Sequence, residues 1–166
     1  MAQLDYATIE RAICFMTARM NGRLYPKPVI MHSLRTGFYL IEHGFDTTIV
    51  TAGILHDVLE DTATTFDELS ETFGSNVAEL VAANSKDESI ESAENRREEL
   101  IKRCCEYGND AVVIKVSDIY DNYKYYKSVT NSEGLAYCLK NKEYVLRHLD
   151  SKRFTKYINT TLAELK

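Results

Sequence analysis

The sequence IVTAGILHDVLEDT, residues 49–62, decides the fold that we expect for this chain. Its first seven residues are all apolar or small, so a helix over them would be buried on every side rather than on one face. Four ionisable side chains then follow: His56, Asp57, Glu60 and Asp61. On a continuous helix, His56 would lie one turn from Glu60, and Asp57 one turn from Asp61.

The charges at the end of this buried helix need a partner. Burying three acids and an imidazole together is costly unless another charge neutralises them. A divalent cation does so, and the adjacent His56 and Asp57 offer it one nitrogen and one oxygen ligand. A solvated helix end with ordinary surface charge is the alternative, but the apolar run that leads directly into the charges favours a metal site.

The composition limits the classes of protein to consider. With 166 residues, 45% of them apolar, the chain can bury a sizeable core, and we expect one domain over residues 1–166. The net charge of −5 argues against a nucleic-acid partner. No apolar stretch reaches the roughly 18 residues of a membrane span, and the charged N-terminal segment argues against a secretory signal. We therefore expect a cytoplasmic protein without a membrane partner.

The four cysteines form neither a CxxC pair nor a zinc spacing with the histidines, so we expect reduced thiols. They are Cys14, Cys104, Cys105 and Cys138.

Helical spacing and capping residues predict an all-α fold of about eight or nine helices. Apolar residues recur at helical spacing over residues 4–20, and Pro28 and Gly44 bracket a second helix. Asp46 or Thr47 would begin the central helix. Further helices are predicted from Thr65 to about Gly74 and over residues 75–85, 93–107, 110–127, 133–149 and 152–165.

Residues 111–116, AVVIKV, are ambiguous because their β-branched side chains favour a strand. Asp118 and Asn122 follow four residues apart, which is typical of one face of a helix. Since no other strong strand is present to pair with this segment, we predict one buried helix over residues 110–127.

Two imidazoles and two carboxylates come from three of these helices. His32 lies on the second helix, His56 and Asp57 at the end of the central helix, and Asp118 on the helix over 110–127. A mixed set of nitrogen and oxygen ligands suits Mn²⁺, Fe²⁺ or Zn²⁺.

The order of these motifs resembles the HD-domain metal phosphohydrolases, and more narrowly the hydrolase domain of the RelA/SpoT family and the small alarmone hydrolases. A His precedes the adjacent His-Asp pair and an Asp follows it, and Arg23 stands nine residues before His32 with Pro28 between them. The other matching segments are HDVLEDTATT at 56–65, FG at 73–74 and IKVSDIYDN at 114–122.

The resemblance implies an HD-domain helical bundle, one Mn²⁺ ion with Fe²⁺ or Zn²⁺ as alternatives, and hydrolysis of the 3′-diphosphate of (p)ppGpp. Glu60 and Asp61 would position or deprotonate the attacking water. The implied metal ligands are His32, His56, Asp57 and Asp118.

The resemblance also implies four contacts to this small-molecule nucleotide. They are Arg23, whose guanidinium group fits phosphate oxygens, and Lys86, Asn122 and Tyr144. Most of the tyrosines at positions 120, 123, 125 and 126 are expected to pack in the core, which leaves one of them as a candidate to stack on a base.

Two other functions remain open. Leu24 and Ile119 stand where relatives carry a basic residue, and Asp121 replaces a His or Tyr, so less positive charge is available for a polyanion. An HD phosphatase acting on another nucleotide, either a nucleoside phosphate or NADPH, is therefore an alternative. If (p)ppGpp is the substrate, Ile119→Arg is expected to lower the KM for it by restoring positive charge. A non-catalytic nucleotide-binding regulator is the third, although Glu60 argues against it. The oligomeric state is not predicted.

Overall fold

The computed structural model describes residues 3–22, 25 and 27–166, and it contains no strand in those residues. Nine helices of eight or more residues lie in the described part of the chain, with one four-residue helix and one 3₁₀ turn. The predicted all-α fold of eight or nine helices is confirmed. Arg23 and Leu24 lie outside the described residues. No helix in the described part of the chain is long and apolar enough to span a membrane.

The chain divides into two compact units, residues 1–85 and 86–166, each of which is described below by itself. A single functional domain over residues 1–166 stays a prediction. The N-terminal unit contains helices α1 (Tyr6–Met20), α2 (Val29–Glu42), α3 (Thr47–Leu55), α4 (Val58–Asp61), α5 (Phe66–Phe73) and α6 (Ser75–Ala83). The C-terminal unit contains α7 (Ala93–Tyr107), α8 (Asn109–Ser128), α9 (Ser132–His148), a 3₁₀ turn (Ser151–Arg153) and α10 (Lys156–Glu164).

Helix α3 forms the centre of the N-terminal unit, where it packs against α1, α2 and α6. All its residues from Ile49 to Leu55 are buried, as the uninterrupted apolar run predicts. The side chain of Asp46 caps the helix by accepting a hydrogen bond from the amide of Ile49 at 3.0 Å.

Two glycines allow α2 and α3 to approach closely. A Cβ atom on Gly37 would overlap the side chain of Ile54, and one on Gly53 would overlap the side chain of Leu40. Because neither glycine has a side chain, the facing residue of each partner helix packs directly against backbone. This contact fixes the position of α2, which carries His32, relative to α3.

Helix α8 forms the centre of the C-terminal unit, where it packs against α7, α9 and α10. Residues 111–116 are buried on all sides within α8, so burial in a helical bundle overrides the strand propensity of their β-branched side chains. The prediction of a helix at this segment is confirmed.

Candidate metal centre

The His-Asp pair interrupts the helix that we predicted to be continuous. Helix α3 ends at Leu55 and α4 begins at Val58, so His56 and Asp57 form a turn between them. Both residues keep dihedral angles in the right-handed helical region. The amide of Asp61 donates to the carbonyl of Asp57 at 2.9 Å. The four ionisable residues therefore keep nearly helical spacing, although the helix is broken at its first two.

A hydrogen bond from a side chain accompanies this break. Nδ1 of His56 lies 2.8 Å from the carbonyl oxygen of Gly53, three residues earlier. The carbonyl of Gly53 thus accepts a hydrogen bond from a side chain, whereas in a regular helix such a carbonyl accepts from a backbone amide.

The same hydrogen bond determines the tautomer of His56. A carbonyl oxygen accepts only, so Nδ1 carries a proton, and in a singly protonated ring Nε2 presents its lone pair. Metal-binding histidines are commonly held in this way by a backbone carbonyl on the other ring nitrogen.

Three potential ligand atoms converge beside this lone pair. Nε2 of His32 lies 3.2 Å from Nε2 of His56. The two carboxylate oxygens of Asp57 lie 3.3 Å from Nε2 of His56 and 3.6 Å from Nε2 of His32. His32 is 1% exposed and His56 0% exposed, while Asp57 is mostly buried. The combination of two imidazole nitrogens and a carboxylate fits a divalent transition metal.

Glu60 and Asp61 lie on α4, directly after the cluster. Both side chains are partly buried. The hydroxyl of Tyr25 donates to the backbone carbonyl of Asp61, at the end of α4, at 3.2 Å. Their catalytic roles stay predictions.

In the C-terminal unit, Asp118 lies on α8 between two partners from its own helix. Nζ of Lys115 lies 3.1 Å from one of its carboxylate oxygens, and the side-chain amide of Asn122 donates to the other at 2.6 Å. Lys115 is only 6% exposed, so its charge is largely removed from water. The sequence analysis missed Lys115, although a lysine within an apolar run and three residues before an acid is a signal for such a pair.

Two residues of α8 that the resemblance marked as departures from the family pattern are buried. Ile119 and Asp121 are each 1% exposed. An arginine at position 119 would have to leave the core to reach a substrate, because its charge is costly to bury there. The expected effect of Ile119→Arg on substrate binding stays a prediction.

Tyr144 is buried in the C-terminal unit. It is 1% exposed, and its hydroxyl donates to Glu94 at 3.0 Å. Burial, together with this hydrogen bond, raises the pKa of Tyr144 above its usual value. Lys86 is exposed in the turn after α6. The substrate contacts assigned to Tyr144, Lys86 and Asn122 stay predictions.

Residues 12–106 match the HD domain family. The chain is 41% identical over 102 residues to guanosine-3′,5′-bis(diphosphate) 3′-pyrophosphohydrolase of Aquifex aeolicus, covering 59% of this chain and 14% of that protein. It is 33% identical over 93 residues to the zebrafish (Danio rerio) guanosine-3′,5′-bis(diphosphate) 3′-pyrophosphohydrolase MESH1, covering 55% of this chain and 51% of that protein. The matched part thus spans about half or less of these curated relatives.

Two solved structures share this fold. One is a metazoan ortholog of SpoT that hydrolyses ppGpp, with a TM-score of 0.77, 19% sequence identity, and coverage of 96% of this chain and 93% of that chain. The other is a protein of Listeria monocytogenes, with a TM-score of 0.69, 25% identity, and coverage of 86% of this chain and 96% of that chain.

Proposed function

The chain belongs to the HD domain family, and we propose that it is a metal-dependent phosphohydrolase that removes the 3′-diphosphate of (p)ppGpp. The observation that carries this proposal is the convergence of His32, His56 and Asp57, whose ligand atoms lie 3.2 to 3.6 Å from one another in a buried cluster. The relatives from Aquifex aeolicus and zebrafish, which are named as hydrolases of this nucleotide, support the choice of substrate.

We propose that His32, His56 and Asp57 hold the cation, with Asp118 as a fourth ligand by the order of motifs in the family. We further propose Mn²⁺ as the cation, since two nitrogen and two oxygen ligands suit it as well as Fe²⁺ or Zn²⁺. When bound, such an ion supplies Lewis-acid activation of the phosphoryl group and of water. His56 contributes an oriented nitrogen, because the carbonyl of Gly53 keeps its proton on Nδ1.

Glu60 and Asp61 are proposed to orient the attacking water and to accept its proton. Their position one turn after His56 and Asp57 places both carboxylates on the segment that directly follows the cluster. A carboxylate within hydrogen-bonding reach of water serves as a general base when the water is activated. Water attacks the phosphorus that is bonded to the ribose 3′ oxygen, and the bond between that phosphorus and the 3′ oxygen breaks as the new P–O bond forms. Pyrophosphate is released, and the 3′ oxygen takes up a proton to become a hydroxyl group.

Arg23 and Lys86 are proposed to contact the phosphates, and Asn122 and Tyr144 the remainder of the nucleotide. Asn122 already donates to Asp118, so it orients that carboxylate as well. Three of the four cysteines, Cys104, Cys105 and Cys138, are buried, and none of the four forms a disulfide bond. Reduced cysteines are usual in a reducing compartment, and we propose that the protein acts in the cytoplasm.

The test is to follow release of pyrophosphate from (p)ppGpp with Mn²⁺ present. A panel of nucleoside mono-, di- and triphosphates and NADPH is assayed beside it. Turnover of (p)ppGpp with release of pyrophosphate is the expected result. Turnover of panel members with none of (p)ppGpp would instead identify an HD phosphatase of another nucleotide, and binding without any turnover would identify a regulator.

A further inference from the structure

Four tyrosines crowd the second half of α8, and the structure separates them by their hydroxyl groups. The hydroxyl of Tyr120 donates to Glu164 at 2.7 Å, and that of Tyr123 donates to the backbone carbonyl of Lys166. Tyr123 is also buried. These two tyrosines therefore attach the C-terminal segment to α8 and are committed to packing.

The other two, Tyr125 and Tyr126, have no such attachment. Neither hydroxyl forms a hydrogen bond with residues 3–22, 25 or 27–166. Both rings are partly exposed, and their centroids lie 5.6 Å apart with the planes tilted by 60°. They are the two aromatic side chains of α8 that remain available to a ligand.

Tyr126 continues a row of polar residues along α8. Asp118, Asn122 and Tyr126 are spaced by four residues and so lie on neighbouring parts of one face. Eight residues of helix correspond to a rise of about 12 Å, which is comparable to the length of an extended nucleoside phosphate. Burial is the main cause that raises the pKa of Tyr126, and the charge of Asp118 is among the lesser causes.

Gly134 at the start of α9 forms a cradle for the Tyr126 ring. A Cβ atom at position 134 would overlap ring atoms Cγ, Cδ1 and Cδ2 together, so the ring packs against the bare backbone of α9. The turn before Gly134 is held by Asn131, whose amide donates to the carbonyl of Tyr126 at 2.9 Å and whose side chain accepts from the amide of Gly134 at 2.8 Å. The turn therefore fixes the position of Gly134 relative to the Tyr126 ring.

We infer that Tyr126 stacks on the base of the nucleotide and so makes the enzyme prefer nucleotides to phosphates without a base. This inference rests on the proposed function, which places the phosphates near Asp118. A ring supported by backbone loses little conformational freedom on binding, and aromatic rings stack on any base through their π-faces. Asn122 lies between the phosphate end and this ring, where the sugar would be.

The test compares three variants of the Mn²⁺-loaded protein: Tyr126→Leu, Tyr126→Phe and Tyr120→Leu. Loss of a base stack predicts that Tyr126→Leu raises KM for (p)ppGpp by roughly 10- to 100-fold, with little change in kcat. Tyr126→Phe keeps the ring and should retain the wild-type KM. Tyr120→Leu, a matched change at a position about 120° away around α8, should also leave KM unchanged.

Inhibition by inorganic pyrophosphate provides the comparison without a base. Its inhibition constant should be the same in the wild type and Tyr126→Leu, because pyrophosphate has nothing to stack. The inference is overturned if Tyr126→Leu leaves the KM for (p)ppGpp unchanged. It is also overturned if the inhibition constant of pyrophosphate rises by the same factor as that KM.

A binding measurement separates failure of this inference from failure of the proposed function. Equilibrium dialysis of GDP should show the same loss of affinity in Tyr126→Leu without any turnover. If the wild type does not hydrolyse (p)ppGpp but binds GDP through Tyr126, the proposed function fails and the stacking role stands. If the wild type binds no nucleotide, both fail.

Gly134→Ala is a second route to the same result. Its Cβ displaces the Tyr126 ring, whereas alanine within a helix otherwise favours the helix. We expect KM to rise as in Tyr126→Leu while metal content stays that of the wild type. The melting temperature shows whether Gly134→Ala is folded. A wild-type KM in the folded variant would contradict the claim that Gly134 positions the Tyr126 ring for binding.

Discussion

Nε2 of His32 and Nε2 of His56 lie 3.2 Å apart, although 24 residues separate them in the chain. Neutral imidazoles share at most one proton at such a contact, and the proton of His56 is held on Nδ1 by Gly53. Two buried imidazole nitrogens this close together can bind the same cation. The proposal of a metal site begins from this contact.

Removing either imidazole should empty the site. We expect His32→Ala and His56→Ala, and also Asp118→Ala, to lose the bound metal, because each removes one ligand. The control is His43→Ala, whose side chain is exposed at the end of α2 and bonds the carbonyl of Tyr39. Elemental analysis of the purified proteins measures their metal content. Equal metal content in all of them would contradict the assignment of these residues as metal ligands.

Glu60→Gln should separate binding from catalysis. The amide keeps the shape of the carboxylate but does not accept a proton, so turnover should fall by roughly 10²-fold or more if Glu60 is the base. Metal content should stay at the wild-type value. Loss of the metal together with activity would require Glu60 to be reassigned as a ligand.

Gly37→Ala should damage the metal site from a distance. The added methyl group meets Ile54, so α2 must move away from α3 or the core must be overpacked, at a cost of about 1–3 kcal/mol. We expect a lower melting temperature and weaker metal binding by titration. Met31→Ala, an exposed change on the same helix, is the control and should alter neither. Unchanged metal affinity in Gly37→Ala would show that the contact between α2 and α3 does not determine the position of the metal ligands.

Lys115→Met should destabilise the C-terminal unit. In the metal-free protein, removing Lys115 takes one partner from a largely buried ion pair, a loss of about 3–5 kcal/mol in comparable cases. The matched control is Lys102→Met, which removes an exposed lysine paired with Glu106 and should cost at most about 1 kcal/mol. Chemical denaturation compares the two, and equal losses would mean that burial does not strengthen the Lys115 pair.

The thiols should react very unequally with alkylating agents. Burial raises the pKa of Cys104 to about 12 and that of Cys105 to about 11. Since a raised pKa keeps a thiol protonated below that value, both remain poor nucleophiles at about pH 8. Cys14 is exposed and Cys138 buried, so the native protein should gain one label and the unfolded protein four. Mass spectrometry counts the labels, and rapid labelling of Cys104 in the native protein would contradict this burial.

The helices could be predicted because caps and apolar periodicity are local signals. The run at residues 49–55 required a helix buried on every side, and the structure has one. Side-chain contacts were not readable in the same way. The apolar pattern did not indicate that the His56 side chain would bond the carbonyl of Gly53 where the helix is interrupted, or that Ile119 would face the core.

The candidate site was predicted in part for the same reason. Residue types and order identified His32, His56 and Asp57 as possible ligands, and the structure brings these three together. The sequence left the four tyrosines of α8 equivalent, because only tertiary contacts show that two of them hold the C-terminal segment. The role of Gly134 could not be predicted from the sequence, because only the structure shows that the Tyr126 ring packs against it.

The contact between α2 and α3 at Gly37 and Gly53 has a consequence for engineering a different metal preference. Where side chains separate two helices, exchanging them adjusts the helix separation in small steps. Here backbone occupies that place, so the available substitutions only force the helices apart. Substitution at these two glycines can therefore widen the space at the two imidazoles but cannot narrow it. A preference for a smaller or softer metal would have to come from the ligands themselves, for example by replacing Asp57 with a softer donor.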